Sequence, residues 1–385
     1  DCNTRYGPIF KAWQDQSIVI CVSGLDRIRR LMSAKEEVLR PVSVPTAAPF
    51  PKGLMRVMEG ADHTRYRSQL NTALQADNNT LNADSIDATV SAEVERLLNA
   101  YQGQRHTHTQ LNDVLTRIST GILLQLLYGL EAGSKPYEDL MHMYRALGPQ
   151  GYVMQIGPAQ EHAFERIRYF LSAELERPLA ERVIGADSVL GRMINAADFD
   201  DVSLGNLIYM AEIGRYDLMG LFRWMLNYAA QHPEIQERLS VAQATEKQKL
   251  GLAYVNETLR LNQIERLLRS VREPFVFDDY YFPRHALVRL CLWESHKAPD
   301  LFDDPFSFNL DRFMSANART DTLPFGVGKH RCPMASYNLQ IGARFICALT
   351  TNYRVSQATA EIPFRSRYHW EPARHFTVSF SKRSR

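Results

Sequence analysis

A single cysteine in a glycine-rich stretch is the residue of this chain best suited to do chemistry. The stretch Pro324–Pro333 reads PFGVGKHRCP and ends on Cys332 and a proline. Two glycines one residue apart predict a loop, and apolar periodicity predicts a helix over 335–349. A cysteine near a helix N-terminus is favoured as the thiolate, because the helix dipole and unpaired N–H groups stabilise negative charge. Such a thiolate can ligate haem iron.

The pattern Phe-Gly-x-Gly-x-His-x-Cys in this stretch resembles the haem-ligand loop of the cytochrome P450 family. Its fixed positions are filled, in chain order, by Phe325, Gly326, Gly328, His330 and Cys332. The resemblance implies haem b, with Cys332 as the metal ligand and with Phe325 and His330 as further haem-binding residues. Met334 stands where the family usually has glycine, and we expect it to tighten the packing beside the thiolate.

Three further residues are predicted to bind the haem propionates, together with His330. His63 and Arg67 are four residues apart and share one face of a predicted helix. The family uses this pair to hold a propionate, which suits charge-assisted hydrogen bonds. The resemblance gives Arg269 the same role. Taken alone, His-x-x-x-Arg is more often a solvated helix face.

A long helix is predicted to begin at Asp201 and to end near His232-Pro233. In the resembled family the matching helix carries Ala/Gly-Gly-x-Asp/Glu-Thr-Thr, an acid and an alcohol that deliver protons for oxygen activation. Counting back from His232 places Gly214 at the family's glycine, Tyr216 at the acid position and Asp217 at the alcohol position. These three residues are our catalytic candidates.

The altered acid–alcohol pair allows several interpretations. Asp217 can supply protons directly or through water if burial raises its pKa. Alternatively, the enzyme uses peroxide, or it abstracts hydrogen without inserting oxygen. A third possibility is that the register is shifted by one turn, with Glu212 as the acid.

Two other segments support the resemblance. Glu257 and Arg260 are expected to form a buried structural pair that Arg312 completes, as in the family. The segment around Met55, Val57 and Met58 is predicted either to line the substrate pocket or to pack as an ordinary loop.

The remaining pattern predicts a mainly α fold with a smaller β region, as the resemblance also implies. A hairpin is predicted over 6–22, and later strands over 275–277, 280–282 and 287–290. Residues 363–364 and 376–380 alternate like a closing hairpin. We find neither repeats nor linkers, so we expect one haem domain over 1–385.

Composition limits the partners. The net charge of +2 over 385 residues gives no indication of nucleic-acid binding. No apolar run approaches the ~20 residues that span a bilayer, and five scattered cysteines predict neither a zinc site nor a disulfide framework. We therefore expect a cytoplasmic protein without a membrane partner, and its lack of the family's N-terminal anchor suggests a bacterial, biosynthetic member.

The resemblance implies a monooxygenase that oxidises a natural product in secondary metabolism. One alternative is oxidative coupling of aromatic side chains in a short peptide, and another is a haem sensor or carrier without turnover. Electrons would come from a ferredoxin and its reductase. A basic face is a candidate docking surface for the ferredoxin, or a solvated or propionate-facing charge cluster: Lys329, Arg331 and Arg344.

Overall fold

A computed structural model gives the fold of residues 5–14, 17–42, 53–75, 83–100, 108–148, 157–195, 198–262, 267–314, 322–357, 364–365, 370–372 and 376–383. The chain divides into two compact units. Unit 1 comprises residues 1–43, 253–335 and 365–370, and unit 2 comprises 44–252, 336–364 and 371–385. The expectation of one haem domain over 1–385 remains a prediction.

Most of the described residues are helical, which confirms the mainly α fold class. The helices are α1 (Leu25–Lys35), α2 (Gly60–Gln75), α3 (Ala83–Ala100), α4 (His108–Tyr128), α5 (Lys135–Ala146), α6 (Pro158–Glu176), α7 (Val189–Ile194), α8 (Asp201–Gln231), α9 (Pro233–Val241), α10 (Ala244–Leu261), α11 (Leu292–Ser295) and α12 (Ala335–Asn352). Within the described ranges, no helix is both long enough and apolar enough to cross a membrane.

The main sheet belongs to unit 1 and has the order β1-β2-β7-β4-β3. Its strands are β1 (Ile9–Gln14), β2 (Ser17–Val22), β3 (Leu39–Pro41), β4 (Leu267–Val271) and β7 (Leu287–Leu290). The predicted N-terminal hairpin is confirmed as β1 and β2, and β2 then pairs in parallel with β7. Apolar side chains of this sheet and of α1 form one buried core. The short strands β5 (Phe275–Phe277) and β6 (Tyr280–Phe282) pair with each other, as predicted.

The prediction of a closing hairpin was wrong. Strand β11 (Val378–Lys382) pairs antiparallel with β8 (Tyr353–Gln357), whereas β9 (Phe364–Arg365) pairs with β10 (Trp370–Glu371). Alternation marks a strand with one buried face, but it does not identify the strand's partner.

Helix α8 of unit 2 has the boundaries that the sequence predicts. Asp200 caps its N-terminus in a capping box with Ser203, and the helix ends before Pro233. Most of its residues are buried, as expected for a helix that is largely apolar all round. Gly214 permits a close approach of α4, since an added Cβ would lie 3.2 Å from Cδ1 of Leu123.

A buried ion pair holds the irregular segments of unit 1. Arg260 donates to both carboxylate oxygens of Glu257, at 2.7 and 2.8 Å, and both side chains are fully buried. Its other N–H groups donate to three backbone carbonyls, those of His296 (3.0 Å), Pro305 (2.7 Å) and Ser307 (3.1 Å). The predicted buried pair is therefore confirmed.

Arg312 completes this network, as predicted, by donating to Glu257 at 3.3 Å. The backbone N–H of Asn309 donates to the same carboxylate oxygen at 3.0 Å. The charge of Glu257 is therefore shared by two arginines and a backbone N–H. Five polar groups of unit 1 thus depend on Arg260 and Glu257 for their partners.

Replacing Arg260 by leucine should destabilise the protein by about 3–5 kcal/mol, because it leaves the Glu257 carboxylate buried beside a single, longer ion pair. The free energy of unfolding in urea measures this loss. Arg312→Leu is the matched control, since Arg312 is 12% exposed and makes the longer contact. Equal losses in the two variants would contradict the central role of Arg260.

Candidate active site

Cys332 lies in a loop of unit 1 that backbone hydrogen bonds close. Its N–H donates to the carbonyl of Phe325 at 3.0 Å, and the N–H of Gly326 donates to the carbonyl of Leu323 at 3.1 Å. Cys332 is half-buried and forms no disulfide with another described cysteine. Helix α12 begins three residues later, at Ala335. The thiol group is thus held just ahead of a helix N-terminus, as the sequence predicts.

The two glycines of the loop are required by its backbone. Gly326 and Gly328 both have φ of +80°, a conformation that side chains other than glycine rarely adopt. An added Cβ at Gly328 would also overlap the Glu36 carboxylate, whose Cδ would lie 2.8 Å away. That carboxylate accepts a hydrogen bond of 2.5 Å from the N–H of Lys329. The Glu36 carboxylate, which is not part of the loop, therefore stabilises the loop through this hydrogen bond.

His296 links this loop to the buried ion pair. Its Nε2 accepts a hydrogen bond of 2.9 Å from the N–H of Leu323, and its carbonyl accepts from Arg260 at 3.0 Å. Burial, together with the charges of Lys297, Arg260 and Arg29, lowers the pKa of His296 to about 3. The ring is therefore neutral at physiological pH, with Nε2 as the acceptor. Hydrogen bonds thus run from Arg260 through His296 to the start of the cysteine loop.

The predicted propionate-binding residues carry donors suited to carboxylates. His63 is buried on α2, and Arg67, on the same face, is half-buried and donates from Nε to Asn71 at 3.0 Å. In unit 1, Arg269 is buried on β4, and its Nη1 donates to the carbonyl of Leu268 at 2.9 Å. Buried cations are costly unless they meet an anion or polar partners. Each of these side chains is of a type that pairs with a carboxylate.

The remaining haem-binding candidates lie in the cysteine loop itself. Phe325 and His330 are both half-buried there. The structure therefore groups Phe325, His330 and Cys332 on one loop, and His63 and Arg67 on one helix. The half-buried thiol on this loop is of the type that ligates haem iron.

On α8, Asp217 belongs to a cluster with Tyr209 and Arg56. Asp217 is half-buried, and loss of water around its carboxyl group raises its pKa to about 7, against the lowering effect of the Arg56 guanidinium. Burial also raises the pKa of Tyr209, while the charge of Arg56 lowers it. Asp217 is therefore a weak acid that holds or releases a proton near neutral pH.

Glu212 has a different environment one turn earlier. Both of its oxygens accept hydrogen bonds from Arg215, at 2.6 and 2.8 Å, and both side chains are almost fully buried. Arg215 also donates to the carbonyl of Gly148 at 2.7 Å. The Glu212 carboxylate is thus neutralised by a cation and serves to fasten α8. This arrangement favours Asp217 over Glu212 as the acid.

The other two catalytic candidates are oriented by helix packing. Gly214 adjoins Leu123 of α4. Tyr216 is buried and acts electrostatically on Arg223, which is paired with Glu371 at 3.1 Å. The assignment of Gly214 and Tyr216 to catalysis therefore stays a prediction, and Asp217 is the candidate with an environment suited to proton transfer.

One residue that our sequence analysis missed is Arg56. It lies among the predicted pocket residues Met55, Val57 and Met58, and all four are half-buried. In the sequence, Arg56 is a cation inside a short apolar run, and our sequence analysis considered only the apolar residues of that run. Its significance depends on α8, more than 150 positions later in the chain.

The expected basic face is partly neutralised. The ammonium group of Lys329 forms an ion pair with Glu37. Arg344 acts on Asp87 of α3 and lowers its pKa, although burial raises that pKa more strongly. Arg331 is exposed.

Comparisons with known proteins agree with this geometry. The family model described as cytochrome P450 matches residues 221–342. Abscisic acid 8′-hydroxylase 2 of Oryza sativa subsp. indica is 23% identical, over 86% of this chain and 71% of its own length.

Two solved structures share the fold. The retinoic acid-bound cyanobacterial CYP120A1 has a TM-score of 0.79 at 19% identity, over 99% of this chain and 93% of its own. A zebrafish cytochrome P450 with abiraterone has a TM-score of 0.77 at 16% identity, over 99% and 98%.

The chain is thus similar in sequence to cytochrome P450 over residues 221–342, and similar in fold to solved cytochrome P450 structures over nearly its whole length. We assign it as an oxidoreductase whose haem iron is bound by a cysteine thiolate. The half-buried Cys332 on its glycine loop fits this ligand.

Replacing Gly328 by alanine should displace Glu36 and remove the acceptor of the Lys329 N–H, in addition to straining the backbone. We expect a loss of about 2–3 kcal/mol in the free energy of unfolding. Gly133→Ala is the matched control, with φ of +79° and, among the described residues, nothing within 4 Å of an added Cβ. It should cost about 1–2 kcal/mol.

The double variant Glu36→Ala/Gly328→Ala tests the cause of this loss. Once Glu36 is truncated, the second substitution should cost no more than backbone strain. A full additional loss at Gly328 in the Glu36→Ala background would exclude the proposed overlap.

The buried neutral His296 should make the protein sensitive to acid. Its pKa of about 3 in the folded state lies below the ordinary value of 6.5, so the unfolded chain binds more protons between these values. Stability should therefore fall as pH drops through this window, by about 2–3 kcal/mol between pH 6.5 and about pH 4.5.

His296→Asn keeps an acceptor for the Leu323 N–H and should remove this part of the pH dependence. Urea unfolding at both pH values measures the difference from the wild type. The control is His142→Asn, at an exposed position on α5, which should retain the wild-type pH dependence. An unchanged pH dependence in His296→Asn would refute the explanation.

Proposed function

We propose that this protein is a monooxygenase that oxidises a small natural-product molecule in bacterial secondary metabolism, in the cytoplasm. The observation that carries this proposal is the combination of a fixed cysteine loop with a proton-holding carboxyl group on α8. The haem, when bound, supplies the oxidising centre and the activation of dioxygen. The chain's own residues supply its ligand, its anchoring and the protons.

Cys332 would bind the iron, and the loop geometry holds its sulphur in place. His63, Arg67, Arg269 and His330 would bind the propionates through charge-assisted hydrogen bonds. Phe325 would contribute apolar contact to the haem from the same loop as Cys332. These assignments follow from the donor types and from the family pattern.

Asp217 would hold and deliver a proton. A general acid works best when its pKa lies near the working pH, and the pKa of Asp217 is raised to about 7. The neighbouring Glu212 is paired with Arg215 and is therefore a poor donor. A placed acid in this cluster supports dioxygen activation over the alternatives of aromatic coupling without oxygen insertion and of a haem sensor without turnover.

The names of the similar proteins support a natural-product substrate. The rice relative is an abscisic acid hydroxylase, and the cyanobacterial structure contains retinoic acid. Abscisic acid and retinoic acid are both small isoprenoid acids. The half-buried Met55, Val57 and Met58 offer apolar contacts of the kind that such a molecule needs.

Electrons would come from a ferredoxin and its reductase. Arg331 is exposed beside the cysteine loop, and an acidic partner would be attracted to it. Because Glu37 and Asp87 offset Lys329 and Arg344, we expect this attraction to be weak and dependent on salt.

Replacing Asp217 by asparagine should lower product formation by about 100-fold or more and increase the release of peroxide, because the proton donor is lost. In the wild type, product formation should fall as pH rises above about 7, where Asp217 loses its proton. The variant should lack this pH dependence. Product and peroxide are measured with a substrate selected by titrating the haem absorption band with natural products and aromatic peptides.

Asp201→Asn is the control, because Asp201 is an exposed acid on the same helix. Asp217→Thr restores the alcohol that the family usually has, and it should retain turnover. Wild-type activity in Asp217→Asn would show that another group delivers the protons. If the selected substrates are aromatic peptides that are joined without oxygen, the coupling alternative replaces the proposed function.

A further inference from the structure

The turn over 54–58 carries two of the predicted pocket residues, Val57 and Met58. The N–H groups of these two residues donate to the carbonyl of Leu54, at 2.9 and 3.0 Å. Both hydrogen bonds lie within the turn, so they fix its shape but not its place in unit 2. The place of the turn depends on contacts with other elements.

Asn206 of α8 makes hydrogen bonds to the backbone of this segment from both ends of its amide group. Its Oδ1 accepts from the N–H of Met55 at 2.6 Å, and its Nδ2 donates to the carbonyl of Gly53 at 3.5 Å. The Nδ2 atom also donates to the carbonyl of Val202, one turn earlier in α8, at 2.8 Å. Asn206 is only 7% exposed. Its own helix therefore orients the amide group, and little water competes for the bond to Met55.

Met55 adds apolar packing to this polar contact. It lines a crevice together with Leu70 of α2, Met193 of α7 and Leu207 of α8. About 10 Å³ of the crevice is open to the centre of a water molecule, which is about the space that one water needs. The crevice is therefore closely packed, and the turn has little room to shift against the helices.

The part of α8 that carries Asn206 is also joined to α2. Ser203 donates from its hydroxyl group to Oε1 of Gln69 at 2.7 Å. Helix α2 carries two of the predicted propionate-binding residues, His63 and Arg67. Side-chain hydrogen bonds thus connect the helix that is predicted to bind the haem with α8, and α8 with the turn over 54–58.

We propose that Asn206 is a positioning residue for the substrate, because it sets where Val57 and Met58 lie relative to α2. Without the Asn206 oxygen, the buried N–H of Met55 lacks its acceptor, which is costly. The turn would move to satisfy this group, and the pocket would lose its fit to the apolar part of a ligand. This inference rests on the proposed function, in which Val57 and Met58 contact the substrate.

The test compares imidazole with 4-phenylimidazole on the haem-loaded protein. Both ligands shift the haem absorption band through the same ring nitrogen, and only 4-phenylimidazole has a large apolar group that needs the pocket. The wild type should bind 4-phenylimidazole about 10- to 100-fold more tightly than imidazole. Asn206→Leu should weaken the binding of 4-phenylimidazole by about 5-fold or more, with the affinity for imidazole unchanged.

Hydrogen exchange of the haem-loaded protein is a second readout, and it requires no ligand. The amide hydrogens of residues 53–58 should exchange about 10-fold faster in Asn206→Leu. Asn206→Asp keeps an acceptor for the Met55 N–H and should retain slow exchange and most of the preference. Asn227→Leu is the matched control, since Asn227 is similarly buried on α8 but accepts from Gln231, at 3.3 Å. This control should retain both properties.

Unchanged exchange over 53–58 in Asn206→Leu overturns the inference. Equal affinity of the wild type for the two ligands overturns it as well, and so does an equal change, or no change, of both affinities in Asn206→Leu. If Asn206→Leu does not bind haem, Asn206→Ser takes its place with the same expectations, because the serine hydroxyl is too short to reach the Met55 N–H. In all these cases a haem-thiolate spectrum and turnover of a natural product would leave the proposed function intact. Absence of a haem-thiolate spectrum in the wild type would instead refute the proposed function itself.

Discussion

The cysteine loop depends on one buried charge. Arg260 is fully buried, and its two bonds to Glu257 make that burial tolerable. Its remaining donors fix the carbonyls of His296, Pro305 and Ser307. His296 in turn accepts a hydrogen bond from the N–H of Leu323, which precedes the loop that the N–H of Cys332 closes. A site that needs an accurately placed sulphur thus uses a rigid polar framework rather than loop packing alone.

Two carboxyl groups on α8 show how environment separates structural and chemical roles. Glu212 and Asp217 are five positions apart on the same helix, and Glu212 is fully buried while Asp217 is half-buried. Glu212 has a bidentate arginine partner, whereas burial raises the pKa of Asp217 to about 7 against the opposing charge of Arg56. Glu212 is held as an anion that stabilises the position of the helix, and Asp217 can hold a proton near neutral pH. The same residue class therefore serves both purposes on one element.

Local signals in the sequence predicted the site loop and the long helix. Gly326 and Gly328 are required by backbone conformation, and Pro233 ends α8 by its missing N–H, so both features could be predicted from residue types. The partners of β8 and β11 could not, because alternation is the same whichever strand lies alongside. The role of Arg56 was equally hidden. Its charge matters only because residues 53–58 lie against α8, a contact between segments far apart in the chain.

The parallel pairing of β2 with β7 has a consequence for the order of folding. Val19 pairs with Leu287, so two central strands of the sheet come from segments that are far apart in the sequence. The ribosome synthesises β2 long before β7. Contacts of such long sequence separation form slowly, because a large loop must close before they contribute any stability. The hairpin of β1 and β2 therefore cannot pair with β7 until most of the chain has been synthesised. Until then β2 lacks the strand that covers its edge in the folded protein, and an uncovered strand edge favours association between chains.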